Sequence, residues 1–226
     1  KAGILENKKY PWSSVAALNS TYFANFGAEL AVVSMLPMFF ENVFKNLTDS
    51  NGNMIMTATL AGLVAASFAF VNLFARPLGG YLSDKMANRK KTMLVYMVGT
   101  AIGFFCMGLI AKYGPVIDGV QTIVPMFNGI WWLVVAIVIT ITCSVFVQGA
   151  EGATFGIIPM IKRGMTGQIA GMSGAYGNVG AVVYLVIYSM VDDKTFFFII
   201  SAGAALSFLY CLIFLKAPEK AFKNEY

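Results

Sequence analysis

The sequence predicts an all-α integral membrane protein with six transmembrane helices. Hydrophobic residues make up 58% of the 226 residues and charged residues only 12%, about half the roughly 25% that is usual in soluble domains. The apolar residues fall in six runs, each long enough to supply the about 20 residues that cross a bilayer as a helix. The runs are also too long and too uniformly apolar for the alternating strands of a membrane β-barrel.

Short polar joins separate the six predicted spans. The spans cover residues 13–44, 54–82, 92–112, 129–161, 167–191 and 195–215. The joins cover residues 45–52, 84–91, 113–127, 162–166 and 192–194. Pro37 predicts a kink in the first span, because proline removes a backbone donor from a helix. The glycine-containing stretch 149–152 is expected to interrupt the fourth span.

Basic residues predict the orientation of the spans. Lys and Arg cluster before the first span, between the second and third, between the fourth and fifth, and after the sixth. The positive-inside rule places these segments in the cytoplasm. We therefore expect both termini to lie in the cytoplasm. The expected location of the spans is the lipid bilayer of the plasma (cell inner) membrane.

Composition excludes several other classes of function. The net charge is +5. The basic residues cluster at the ends of the spans and form no continuous basic face, so no nucleic-acid partner is expected. The chain has no histidine, and its three cysteines contain no CxxC pair. Because no metal-ligand or nucleophile–base cluster appears, we expect no metal, no cofactor and no enzymatic activity.

One arginine lies inside an apolar run. A guanidinium at bilayer depth costs about 2.5 kcal/mol or more, so Arg76 is expected to face the bundle interior or a watery cavity. The planar fork of guanidinium donors matches planar oxyanions, which predicts an anionic ligand. Glu29 and Glu151 lie in other apolar runs. They are candidates for a proton relay or for ion-pair partners of Arg76.

The join after the second span carries a loop motif. Gly80 is followed four residues later by Asp84 and then by a basic cluster that includes Arg89 and Lys90. This pattern resembles the cytoplasmic loop signature of the major facilitator superfamily, although Ala87 and Asn88 replace the usual glycine and basic residue. A basic stop-transfer loop with a capping aspartate is the alternative. The resemblance implies one half of a twelve-helix transporter, with the substrate bound between the halves.

The fifth span carries a glycine stripe, with Gly167, Gly171, Gly174, Gly177 and Gly180 at spacings of three or four. Ordinary small-residue helix packing would explain such a stripe by itself. The string 171–181, which includes Asn178, resembles the second nitrate signature of the nitrate/nitrite porter family, a branch of the same superfamily. That signature lies on the eleventh helix of the family. The resemblance therefore implies that the chain, 1–226, is the C-terminal six-helix half.

Two further pairs support the resemblance. Asn72 and Arg76 are four residues apart and share one helix face, as do Tyr22 and Phe26. The porter family has an asparagine and its substrate arginine, and an aromatic pair, at these spacings. Core packing of the rings and an interhelical hydrogen bond from Asn72 are the alternatives. The residues that the resemblance implies for substrate binding are Arg76, Asn72, Tyr22, Phe26, Gly174, Gly177 and Asn178.

The resemblance implies transport of nitrate and/or nitrite by alternating access, together with an N-terminal six-helix half. Two alternatives remain open. One is a transporter of another small anion. The other is a membrane scaffold or sensor in which Arg76 is only paired with Glu29 or Glu151. An Arg76 that points into lipid, or is locked against a carboxylate with no room for a solute, would contradict the transport hypothesis.

Overall fold

The computed structural model describes residues 10–86, 88–117 and 119–216. In chain order the elements are α1 (Trp12–Phe44), α2 (Ala58–Phe70), α3 (Asn72–Lys85), α4 (Arg89–Gly108), β1 (Ala111–Ile117), β2 (Val120–Pro125), α5 (Ile130–Ile161), a 3-10 turn (Arg163–Met165), α6 (Thr166–Tyr188) and α7 (Asp193–Phe214).

Six helical segments of the described chain are long and apolar enough to cross a membrane. Helices α2 and α3 together form one of them, and the 3-10 turn joins α6 in another. The six predicted spans are therefore confirmed, with ends that shift by up to four residues. The second span starts at Ala58 rather than at residue 54, because the Thr57 hydroxyl caps α2 by accepting the Leu60 N–H at 3.2 Å.

The second span is divided at Val71, which the sequence did not predict. The Ser144 hydroxyl of α5 donates to the Phe68 carbonyl oxygen at 2.6 Å. In a regular helix that carbonyl would accept the N–H of Asn72. The side-chain bond from α5 therefore competes with the helix ladder at the junction, and α3 begins at Asn72.

The predicted interruption of the fourth span is wrong, because α5 is continuous from Ile130 to Ile161. Its glycines instead allow α3 to approach. A methyl group at Gly152 would overlap the Arg76 carbonyl oxygen, and one at Gly79 would overlap the Gly149 carbonyl oxygen. Packing of α3 against α5 thus outweighs the low helix propensity of glycine.

The join between α4 and α5 forms an antiparallel hairpin of β1 and β2, which has no counterpart among the predicted elements. Gly119 in its turn has a φ of +79°, a conformation that favours glycine. The Lys194 amine donates to the Ala111 carbonyl at 2.7 Å, and the Tyr113 hydroxyl lies 3.0 Å from the Thr195 hydroxyl. The hairpin is therefore fastened to the start of α7.

Helix α1 is the central element and packs against α2, α5, α6 and α7. It remains helical through Pro37. Its crossing with α6 is a backbone contact, because a methyl group at Gly27 would lie 2.6 Å from the Gly180 carbonyl carbon. A methyl group at Gly180 would overlap the Phe23 carbonyl oxygen. Part of the predicted glycine stripe thus forms the α1–α6 interface.

This interface predicts opposite effects of one substitution at two positions of α6. Gly180→Ala should lower the free energy of unfolding by about 1–3 kcal/mol, because the added methyl group has no space. Gly171→Ala is the control, since nothing lies within 4 Å of a methyl group there, and it should be neutral or stabilising by up to about 1 kcal/mol. Thermal unfolding in detergent measures both. Equal shifts would contradict the interface.

Candidate anion-binding site

Arg76 lies in a charged cluster between α1, α3 and α5. Its Nη2 atom forms an ion pair with Glu151 and lies 3.6 Å from the Glu29 Oε2 atom. Glu151 is fully buried and Glu29 is 5% exposed, whereas 33% of the Arg76 side chain remains exposed. The structure thus pairs Arg76 with both candidate glutamates. The Arg76 side chain contacts the protein on one side and is exposed on the other.

Two amide side chains complete the cluster around Glu29. Its Oε1 atom accepts a hydrogen bond from Asn72 Nδ2 at 3.2 Å and another from Gln148 Nε2 at 2.8 Å. Asn72 lies one turn before Arg76 on α3, and Gln148 lies one turn before Glu151 on α5. Each helix therefore presents an amide and a charged group on one face.

Aromatic rings form the wall beside the guanidinium group. Tyr22 and Phe26 stack with ring centroids 5.0 Å apart and an angle of 8° between the planes. The Arg76 Cζ atom lies 5.8 Å from the Phe26 ring centroid, within cation–π range. Behind the rings, a methyl group at Gly177 would lie 2.6 Å from Tyr22 and 2.7 Å from Phe26. Gly177 therefore lets α6 support both rings closely.

A cavity of about 750 Å³ lies beside Arg76. Its lining residues are Ala69, Phe70, Asn72, Leu73, Arg76, Pro77, Gly152 and Phe155. The Arg76 Nε and Nη2 atoms make no hydrogen bond with the described part of the chain, although Nη2 takes part in the ion pairs. Both atoms are buried, so it is the exposed part of the Arg76 side chain that borders the cavity, where there is space for a solute.

Two predicted binding residues lie apart from this cluster. Asn178 is exposed on α6, and its Nδ2 atom donates to the Gly174 carbonyl of the same helix at 3.1 Å. A methyl group at Gly174 would meet nothing within 4 Å. The structure therefore brings Arg76, Asn72, Tyr22, Phe26 and Gly177 together and leaves Gly174 and Asn178 apart, and a binding role for all seven residues stays a prediction.

Residues of the predicted loop motif connect several helix ends by an ion pair and hydrogen bonds. Asp84 Oδ1 lies 2.6 Å from Arg89 Nη2, and Arg89 also donates to the Gly156 carbonyl of α5. The Lys90 amine donates to the Leu212 carbonyl of α7 at 2.9 Å. A methyl group at Gly80 would lie 3.7 Å from the Gly152 carbonyl oxygen, in ordinary contact. The motif thus connects α3, α4, α5 and α7 at the end of the helices where the basic connecting segments lie.

Sequence reasoning missed three residues near the site. Gln148 bonds Glu29, and the Phe155 ring centroid lies 5.1 Å from that of Tyr22. Asn25 is fully buried, and its amide nitrogen and oxygen have no partner in the described chain. The available signal was helical spacing, because Gln148 lies three residues before Glu151 and Asn25 four residues before Glu29.

Six helical segments that are long and apolar enough to cross a membrane, with one arginine and two glutamates between three of them, define a polytopic α-helical membrane protein with an internal charged cluster. Comparison with known proteins gives the family. The profile of the Major Facilitator Superfamily matches residues 18–226. The chain therefore belongs to the major facilitator superfamily, a transporter family rather than an enzyme family.

Curated relatives are similar over nearly the whole chain. The nitrate/nitrite transporter NrtP of Picosynechococcus is 40% identical over 230 residues, which cover 95% of this chain and 38% of the relative. NrtP of Nostoc punctiforme is 40% identical over 97% of this chain and 39% of its own length. High affinity nitrate transporter 2.5 of Arabidopsis thaliana is 34% identical over 72% of this chain and 28% of its own length.

The chain thus spans about two fifths of the length of the NrtP relatives. The resemblance to nitrate/nitrite porters is confirmed, and the six spans correspond to one half of a major facilitator transporter.

The charge cluster predicts a non-additive effect on stability. Arg76→Met should lower the free energy of unfolding by about 3–5 kcal/mol, because it leaves a buried carboxylate without its partner. Adding Glu151→Met should recover much of that loss, since both members of the pair are then apolar. The free energies of unfolding in detergent of the two single variants and the double variant give the coupling energy between Arg76 and Glu151.

Lys91→Met is a matched control, because Lys91 is exposed on α4. It should change stability by no more than about 0.5 kcal/mol. Simple addition of the Arg76→Met and Glu151→Met losses would show that the two side chains are not coupled.

Proposed function

We propose that this chain is the C-terminal half of a transporter that carries nitrate and/or nitrite across a membrane by alternating access. The observation that carries the proposal is the guanidinium group of Arg76, which lies inside a membrane span, borders a cavity and keeps 33% of its side chain exposed. Burying such a group is costly, and an anionic solute is a ligand that a guanidinium fork fits. The names of the relatives favour nitrate and nitrite.

Nitrate is a planar monoanion, and the groups around Arg76 suit its shape and charge. The guanidinium fork would donate charge-assisted hydrogen bonds to its oxygens. Asn72 lines the same cavity and would add a neutral donor. The stacked rings of Tyr22 and Phe26 would bound the flat face of the anion. The same site would accept nitrite, which is also a small planar monoanion.

Transport needs a second half. In this superfamily two six-helix halves enclose the substrate near the midplane and rock around it. The proposed partner is therefore an N-terminal six-helix half, and occlusion follows when the halves close on the bound anion. Close backbone contacts such as Gly27 with Gly180 keep this half compact while it moves as one body. The proposed location is the plasma (cell inner) membrane, with both termini in the cytoplasm.

The ion pairs of Arg76 are also compatible with a second function. Arg76 is paired with Glu29 and Glu151, as expected for a membrane scaffold or sensor in which the arginine is only structural. The cavity that Arg76 lines favours the transporter, because it leaves space for a solute beside this side chain. A transporter of another small anion would share the whole site and differ only in which anions compete.

The intact transporter containing this half should take up nitrate in proteoliposomes, and Arg76→Lys should abolish most of the uptake. Lysine keeps the charge but loses the planar fork. A lost charge-assisted hydrogen bond is worth roughly 1.5–3 kcal/mol, or about ten- to a hundredfold in affinity. Asn72→Ala should weaken uptake less, because it removes a neutral donor.

Lys91→Gln, at an exposed position on α4, should transport like the wild type and serves as the charge control. Nitrite should compete with nitrate, whereas acetate and formate should not. Competition by carboxylates instead would favour another small anion as the substrate. Full uptake by Arg76→Lys, or no uptake of any anion by the wild type, would contradict the proposal.

A further inference from the structure

One face of α5 carries three fully buried polar side chains at helical spacing. Ser144, Gln148 and Glu151 follow one another at intervals of four and three residues, which places them on one side of the helix. Gln148 and Glu151 bind members of the charged cluster, whereas Ser144 bonds the backbone of α2. The polar face of α5 therefore extends from the charged cluster to the junction between α2 and α3.

Ser144 acts on the helix directly before the pair Asn72 and Arg76. Its hydroxyl donates to the Phe68 carbonyl oxygen at 2.6 Å, and this carbonyl is the regular acceptor for the N–H of Asn72. Just beyond the junction, the Phe74 N–H donates to the carbonyl three residues back at 3.1 Å, as in a 3-10 turn. A 3-10 turn advances by about 120° per residue rather than by about 100°. Side chains after the junction therefore point in a direction that a continuous α-helix would not give them.

Pro77 alters the backbone on the other side of this pair. Proline has no backbone N–H, so the Leu73 carbonyl oxygen lacks the donor that a regular helix would supply. The turn with Asn72 and Arg76 thus lies between two changes in the helix ladder, and all four of these residues line the cavity. Contacts with α5 before and after this turn therefore help to determine its orientation.

We propose, in an inference that rests on the proposed function, that Ser144 is a positioning residue for the anion. Its hydrogen bond to the Phe68 carbonyl keeps α2 and α3 divided at Val71, and this division sets the direction in which Asn72 and Arg76 face the cavity. Ser144 is not among the residues that line the cavity, so it acts through the helix. Without its hydroxyl, the carbonyl returns to the Asn72 N–H and the turn rotates toward the arrangement of a continuous helix.

A purely structural role of Ser144 predicts a different result. A hydroxyl that only stabilises the fold lowers the stability of the protein when it is removed. In the positioning role, the released Phe68 carbonyl gains the Asn72 N–H as its partner, so no buried backbone group is left without one. Loss of the hydroxyl should therefore weaken anion binding without lowering stability.

The test measures nitrate binding to the intact purified transporter. Ser144→Ala should weaken the affinity by about three- to tenfold, the range that one neutral hydrogen bond is worth. Its midpoint of thermal unfolding without nitrate should equal or exceed that of the wild type. Ser144→Cys is a second variant, because a thiol is a weaker donor of similar shape, and its affinity should lie between the other two.

Hydrogen exchange reports on the junction without any ligand. In the wild type, the amide of Asn72 competes with the Ser144 hydroxyl for one carbonyl. In Ser144→Ala the ladder closes, so a peptide that covers residues 68–76 should exchange more slowly than in the wild type.

Thr140→Val is the matched control. Thr140 is fully buried one turn before Ser144, and its hydroxyl donates to the Ala136 carbonyl of its own helix at 2.8 Å. Its removal deletes a buried hydroxyl from α5 without affecting another helix. Nitrate affinity and exchange of the peptide 68–76 should both match the wild type.

The outcomes separate the two proposals. If Ser144→Ala binds nitrate like the wild type, or weakens binding only together with a loss of stability and without slower exchange, the positioning role is wrong while the transport proposal stands. If Thr140→Val weakens binding as much as Ser144→Ala, the effect is common to buried hydroxyls and the inference also fails. If the wild type binds no nitrate, the proposed function itself fails, together with the inference that rests on it.

Discussion

The ion pair between Arg76 and the fully buried Glu151 constrains how α3 packs against α5. Removing two charges from water costs several kcal/mol per ion, so each needs the other in place. The pair holds α3 against α5, and Gly152 allows this by leaving space for the Arg76 backbone. Part of the arginine side chain remains exposed, so the residue that pairs α3 with α5 also borders the cavity.

Glycine determines how closely the helices approach around this pair. At Gly27 with Gly180, and at Gly79 with Gly149, backbone meets backbone without intervening side chains. Gly177 has a different role, because it admits the rings of Tyr22 and Phe26. The stripe on α6 therefore combines helix packing with support of the aromatic wall.

The spans and the pairing of Arg76 with other helices could be predicted because hydropathy and the cost of a buried charge are local properties. Gln148 and Phe155 could not be assigned to the site, because their proximity to Glu29 and Tyr22 results from helix packing. The division at Val71 depends in the same way on the Ser144 hydroxyl of another helix. The β-branched residues of the hairpin are a local signal for strands, but hydropathy alone identifies this segment only as a join between two spans.

We propose that Arg76 remains accessible to an anion although two carboxylates surround it. A structure of the intact transporter with nitrate is the critical measurement. We expect a planar density about 2.9 Å from guanidinium nitrogens and beside the Phe26 ring. A guanidinium engaged only by Glu29 and Glu151 at saturating nitrate, with the anion elsewhere or absent, would contradict it.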